Sequence, residues 1–190
     1  GTYSYGGSSA VYGGSDSTAN ESGEDFVQSQ TDFDSFKLST DELATLRSYA
    51  KSSGTYLQPT SANGTVTLSN VANGIVFIDS YGAGVPTASD TTVAEIKANS
   101  FADSTGFHGW IIVNGDVKFT GNFGGITGMI YVVGKVTQMT GMGNSGITGL
   151  MIVERLLGGD SSAAGNANIT YNCTAANGDG QVPTNWFMKA

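Results

Sequence analysis

Three stretches share one pattern: Gly109-Trp110-Ile111-Ile112-Val113, Gly128-Met129-Ile130-Tyr131-Val132 and Gly149-Leu150-Met151-Ile152-Val153. Each is a glycine followed by four large apolar residues. A fourth copy, Gly74-Ile75-Val76-Phe77-Ile78, lies upstream, and the spacings between the glycines are 35, 19 and 21. A second element alternates apolar with polar: Val66-Thr67-Leu68, Val117-Lys118-Phe119, Val136-Thr137-Gln138 and Ile169-Thr170-Tyr171. Its middle spacing, from Val117 to Val136, is again 19. Two short strands per repeat of about 20 residues fit a β-solenoid, in which each coil lies about 4.8 Å above the last. No coil can bury its apolar face alone, so stacking supplies the core. The competing reading is an antiparallel sandwich whose strands resemble one another by chance. The matched pair of spacings favours the first. The expected fold is mainly β: a short right-handed parallel β-helix with an N-terminal α-helix packed on it. The longer gaps, 80–108 and 154–167, read as insertions.

Stacking the repeats makes columns of side chains. Val66, Val117, Val136 and Ile169 form an inward column, and Thr67, Lys118, Thr137 and Thr170 a wet one. In the glycine-led strands Val76, Ile111, Ile130 and Met151 face inward, as do Ile78, Val113, Val132 and Val153. Their alternates are apolar too: Ile75, Trp110, Met129 and Leu150, then Phe77, Ile112, Tyr131 and Ile152. A strand apolar on both faces is covered on both faces. A second layer is therefore required, with the helix as its first candidate and the tyrosine-bearing N-terminal segment as its second.

That helix is expected at 39–53. Ser39 and Glu42 form a capping box, Leu38 and Leu43 occupy the staple positions, and Gly54 supplies a left-handed stop. Leu43, Leu46 and Ala50 share one face. Upstream, residues 1–36 form a Gly/Ser/Tyr-rich, acidic segment with Tyr3, Tyr5 and Tyr12 as anchors and six acids but no base. The solenoid domain is expected over 37–190, including helix 39–53 and insertion 80–108.

Composition narrows the function. The net charge of −8 disfavours binding to nucleic acid through phosphates. Charged residues make up 13%, too few for a helix bundle or coiled coil. Cys173 is the single cysteine, so there is no disulfide framework or zinc cage, and it reads as a small buried hydrophobe. No apolar run is long enough to span a membrane. Gly1 reads as a processed or tagged end, with the natural protein extending upstream.

No residue is assigned as catalytic, cofactor-binding or metal-ligating, and no cofactor is expected. His108, the lone histidine, reads as a turn residue. Asp79 and Glu154 follow equivalent strands, with Asn114 and Val133 between them in the same column. Three coils separate these acids by roughly 14 Å, beyond the roughly 5–9.5 Å of a glycosidase pair. Asp116 is the acid expected to approach Asp79. Asn20, Asn63, Asn168 and Asn172 fit N-x-[ST], the last of them within the expected core.

From Gly106 to Lys189 the sequence resembles type IV pilus assembly proteins of the PilX-like kind. The likeness is carried by Gly109-Trp110-Ile111-Ile112-Val113-Asn114-Gly115-Asp116 and by Phe119-Thr120-Gly121-Asn122-Phe123. It continues through Gly128 to Val133, the run from Gly165 to Cys173, and the ending Val182-Pro183-Thr184-Asn185-Trp186-Phe187-Met188-Lys189. The segment from Leu43 to Asp79, ending Val76-Phe77-Ile78-Asp79, agrees as well. The resemblance implies a non-enzymatic module of the cell envelope or cell surface that assembles with pilins or other pilus components. It further implies contact with the membrane only through a helix upstream of Gly1. Surface glycans are the second expected class of partner, and the 80–105 stretch with Tyr81 and Pro86 is where a partner is expected to bind. A carbohydrate-active β-helix enzyme and a self-polymerising scaffold similar to bactofilins are the alternatives. The end coils are expected to be capped, by the helix or by residues around Trp186 and Phe187.

Overall fold

The computed structural model describes residues 37–62, 64–84, 93–100, 106–120, 125–140, 146–154, 162–164, 169–172 and 174–182. Helix α1 (Thr40–Ser53) comes first. Eleven strands follow among these residues: β1 (Tyr56–Leu57), β2 (Thr65–Ser69), β3 (Gly74–Ile78), β4 (Val93–Ser100), β5 (Phe107–Val113), β6 (Asp116–Thr120), β7 (Ile126–Val132), β8 (Val136–Thr140), β9 (Ile147–Val153), β10 (Ser162–Ala164) and β11 (Ile169–Tyr171). A 3-10 turn spans Ala175–Asn177. The strands form two wholly parallel sheets. One is ordered β1-β3-β5-β7-β9-β11 and the other β10-β8-β6-β4-β2. The chain passes from one sheet to the other and back with each coil, which makes a β-solenoid of coils about twenty residues long.

Registration of the glycine-led strands is direct. Gly74 pairs with Gly109, Gly109 with Gly128, and Gly128 with Gly149. Ile111 lies over Ile130 and Ile130 over Met151. These glycines have φ between 123° and 149°, a region that L side chains rarely adopt. A Cβ on Gly109, Gly128 or Gly149 would come 1.9 Å from the carbonyl oxygen of the glycine beneath. The repeat thus begins with glycine for two reasons: the dihedral angle, and the backbone-to-backbone approach that in-register stacking imposes.

The strands begin earlier than the glycines suggest. Phe107, Ile126 and Ile147 stack ahead of them, and all three are buried. His108 accordingly lies within β5, paired with Thr127, rather than in a turn. The 80–108 stretch is not a simple insertion, since it contributes β4, a rung of the second sheet. Val66 therefore pairs with Ile96, and Ile96 with Phe119, so Val66 and Val117 do not share a column. Ile169-Thr170-Tyr171 belongs to β11 in the six-stranded sheet, over Ile147-Thr148-Gly149. The last rung of the five-stranded sheet is β10 instead. Between β6 and β8 the register slips after Val117, which pairs with Val136 while Lys118 pairs with Gln138. Thr137 is the extra residue of this bulge, and its hydroxyl donates to Val117 O at 3.1 Å.

Two apolar clusters result. The interior of the coils holds Val76, Ile78, Phe107, Ile111, Val113, Val117, Phe119, Ile126, Ile130, Val132 and Ile147. The outer face of the six-stranded sheet forms the second, with Ile75, Phe77, Trp110, Ile112, Met129 and Tyr131 packed against Leu46, Ala50 and Val182. Trp110 and Met129 are only 5% and 8% exposed, so both faces are covered as expected. The covering layer is shared. The helix takes one part, and the C-terminal residues 174–182 take the part around Trp110. The residues 1–36, the second candidate for that layer, lie outside the described residues, as do Pro86, Cys173, Trp186 and Phe187.

Helix α1 follows from its sequence. Glu42 N donates to Ser39 Oγ, and Ser39 N donates to the Glu42 carboxylate, so the capping box is complete. Gly54 ends the helix at φ 74°. Leu46 and Ala50 are buried, and Leu38 and Leu43 pack on the same cluster. After the helix, β1 is only two residues long and pairs with the second half of β3. Where it falls short, the Thr55 hydroxyl donates to Ile75 O at 2.6 Å.

Gly128→Ala is expected to destabilise the fold by about 4 kcal/mol or more, because the new methyl meets backbone that cannot yield at a φ of 144°. Gly54→Ala, whose Cβ meets nothing within 4 Å, is expected to cost about 1 kcal/mol. Urea midpoints of the two variants give the comparison.

Candidate functional site

The polar chemistry of the described residues gathers on the outer face of the six-stranded sheet, where α1 and the C-terminal turn lie. Asp79 directly follows β3. Its side chain has 0% exposure, and it faces Arg47 of α1, with Nε 2.8 Å from Oδ2 and Nη2 2.9 Å from Oδ1. Tyr56 OH donates to Oδ2 at 2.9 Å, Asn114 Nδ2 to Oδ1 at 2.7 Å, and Ser80 N to Oδ1 at 3.1 Å. A buried carboxylate persists only when paired and hydrogen-bonded, and here both conditions hold. Arg47 also lies over the Phe77 ring, 5.3 Å from its centroid. Tyr56 stacks on Phe77, with ring centroids 6.4 Å apart. Lys51 Nζ sits 4.5 Å from the Tyr56 ring centroid. Asn114 further donates to Gly84 O at 2.7 Å, and Gln58 Nε2 donates to Ser80 O and Tyr81 O. One acid thus ties the helix, β1, the second coil and the 80–84 turn together.

The second node is Tyr131. Its hydroxyl accepts from Leu38 N at 2.6 Å and donates to Glu154 Oε1 at 2.6 Å. Leu38 lies two residues before α1, so Tyr131 fixes the entry of the helix and Asp79 its body. Burial raises the Tyr131 hydroxyl far above the usual phenol range, and the bond to Glu154 adds to this. Tyr56 is pushed up to about 12, first by burial and then by its bond to Asp79.

The third node holds the C-terminal turn. Trp110 Nε1 donates to Ala176 O at 2.9 Å. His108 Nδ1 lies 2.9 Å from Asp179 Oδ2. Gly178 (φ 63°) lies on Gly109, so closely that a Cβ there would be 2.4 Å from the Gly109 Cα. The missing side chain of the ladder is therefore used twice, once for stacking and once as a seat for the turn.

The acids named from the sequence are now placed. Asp79 and Glu154 stand in one column at opposite ends of the stack, each bonded to a different tyrosine. Asp116 does not join Asp79. It is 4% exposed, and its Oδ1 accepts from Lys135 N at 2.9 Å within the turn that leads into β8. Asn172 is exposed rather than in the core, and its Oδ1 accepts from Thr174 N and Ala175 N. Asn20, Asn63 and Asn168 lie outside the described residues. Tyr81 is 49% exposed. The partnership of Arg47 with Asp79 was not anticipated, although the helical spacing that places Arg47 beside Leu43, Leu46 and Ala50 carried the signal. The docking of residues 174–182 on the glycine ladder had no periodic signature. Among the described residues, no three His, Cys, Asp or Glu side chains gather as a metal site. No described helix is long and apolar enough to cross a membrane. The chain matches no protein-family model, no curated protein and no solved structure.

Arg47→Met leaves Asp79 buried without its cation and is expected to cost about 3 kcal/mol, discounted for the partial exposure of Arg47. Denaturant unfolding with the double variant Arg47→Met/Asp79→Leu measures how much of that loss is the stranded charge. The raised Tyr56 pKa also has a sign. The folded state holds this phenol neutral beyond its ordinary value of 10.0, so stability is full below pH 10 and falls as pH rises toward 12. Absorbance of tyrosinate against pH, in wild type and Tyr56→Phe, is expected to show one late-titrating phenol fewer in the variant.

Proposed function

We propose that this chain is a non-enzymatic structural and interaction module of the bacterial cell surface, associated with type IV pili and acting in their assembly or in adhesion. The observation that carries the reading is the backbone-to-backbone glycine stack, which makes the coils a stiff, in-register block. Stiffness suits a part that is built into, or displayed from, a filament. The residues that resemble the PilX-like proteins coincide with this frame. Gly109 and Gly128 are rungs of the ladder, Trp110 seats the C-terminal turn, Asp116 closes a turn, and Asp79 ends its strand at the Arg47 pair. The motif is thus a scaffold motif, and it supports a family role through scaffold rather than through chemistry.

Three acids named from the sequence have structural partners, which supports the non-enzymatic reading over a carbohydrate-cleaving one. Asp79 is ion-paired and fully buried in its side chain, Asp116 accepts from a backbone amide, and Glu154 accepts from Tyr131. The partners proposed are pilins and other pilus components, at the cell envelope or outside it.

Immobilised protein is expected to retain pilin subunits from solubilised pili, while a parallel glycan array separates assembly from adhesion. Release of reducing sugars from any polysaccharide on that array would overturn the non-enzymatic reading.

A further inference from the structure

The layer over the six-stranded sheet is fastened unequally. Helix α1 is locked through the buried Asp79, which accepts from Arg47, Tyr56, Asn114 and Ser80. The C-terminal turn is held firmly at its two ends and loosely between them. At one end Asn172 N donates to Gly149 O at 2.9 Å. At the other, Val182 is buried in the outer apolar cluster. Between these ends the buried residues are Ala175 and Gly178, which contribute a single methyl group.

This stretch makes its backbone hydrogen bonds locally. Among the described residues, Ala176 N donates to Asn172 O, Gly178 N to Ala175 O and Gln181 N to Gly178 O. Thr174 N and Ala175 N donate to Asn172 Oδ1. Two side chains of β5 reach it from the sheet. Trp110 donates to Ala176 O, and His108 lies against Asp179, whose side chain is 55% exposed. The turn is also strained. Gly178, Asp179 and Gly180 stand in succession at φ 63°, 53° and 81°, and Asp179 carries a side chain where the left-handed region favours glycine. Asn177 Oδ1 is buried with no hydrogen-bond partner, so its lost hydration is not repaid. Segments with few buried apolar groups open before the rest of a fold.

We infer that residues 174–181 form a strap that opens from the six-stranded sheet as a unit while the coils stay folded, swinging between Asn172 and Val182. Its closed position is set by Gly178, whose place on Gly109 admits no Cβ. It is latched by Trp110 and by the contact of His108 with Asp179. Opening parts Trp110 from Ala176 and Gly109 from Gly178, so the middle of the ladder changes its cover without any change in the coils. Helix α1 has no such freedom, because lifting it strands the Asp79 carboxylate. Nothing in this depends on the pilus reading.

The test is hydrogen exchange of the full chain, followed amide by amide by NMR at rising urea concentrations below unfolding. The amides of Ala176, Gly178 and Gln181 are expected to be protected and to exchange together. Their opening is expected to be at least about tenfold more frequent than the one that exposes Ile112 and Ile130, and nearly independent of urea. Asp179→Asn removes the charge of the latch and is expected to speed exchange of the strap about threefold, leaving β5 and β7 unchanged. Gly178→Ala is expected to hold the strap open, with its amides unprotected and those of β7 still protected. Exchange of the strap at the rate and urea dependence of β7 overturns the inference, and so does a strap with no protection in the unaltered chain. Loss of protection in β5 and β7 as large as in the strap, in either variant, overturns it as well.

Discussion

The fold depends on one contact repeated: the peptide backbone of one glycine laid against that of the next. Gly74, Gly109, Gly128 and Gly149 approach so closely that a single methyl group has no place between them. A column of four such positions removes side-chain bulk from one line of the sheet and lets the neighbouring apolar residues fall into register. With register set, every strand apolar on two sides must find cover on two sides, since each exposed Trp, Met or Phe would leave a large apolar surface in water. Interior packing of the coils, the helix and the C-terminal turn are successive answers to that one requirement.

The covering layer is secured by polar rather than apolar specificity. Leucine and alanine on α1 would tolerate several placements on a flat apolar sheet. Asp79 does not, because a carboxylate with no solvent needs its donors in place, and Arg47, Tyr56, Asn114 and Ser80 come from different parts of the chain. Tyr131 serves the same end at the helix entry. Both nodes lie at the ends of glycine-led strands, so the repeat that builds the solenoid also positions the groups that orient what covers it.

Much of this was legible in the residues. The spacings of 19 and 21 gave the coil, the doubly apolar strands gave the second layer, and Ser39, Glu42 and Gly54 gave the helix with its caps. The errors have physical causes. β4, Val93–Ser100, alternates as the other strands of the second sheet do, but it lies inside the 35-residue gap between Gly74 and Gly109, off the spacing of 19, so a rung reads as an insertion. Ile169-Thr170-Tyr171 alternates like the second sheet but stacks on Ile147-Thr148-Gly149, and as the last rung of its sheet among the described residues it carries Tyr171 where the rungs before it have glycine. The bulge at Thr137 shifts register by one residue, which no period can announce. Among the candidate site residues, the sequence located Asp79, Asp116 and Glu154 but not their partners. Those partners are brought together by the stack across separations of 19 to 35 residues, and pairing over such distances leaves no local pattern.

The blunt start of the stack has its own consequence. A parallel ladder with an unfinished rung is a template on which a stray peptide could grow. Here β1 stops after two residues, and the carbonyl of Ile75, which a third amide would have claimed, is occupied by the hydroxyl of Thr55. One oxygen on a side chain thus does what a whole additional strand would do elsewhere, and it denies a neighbouring molecule the first bond of a fibre at that edge.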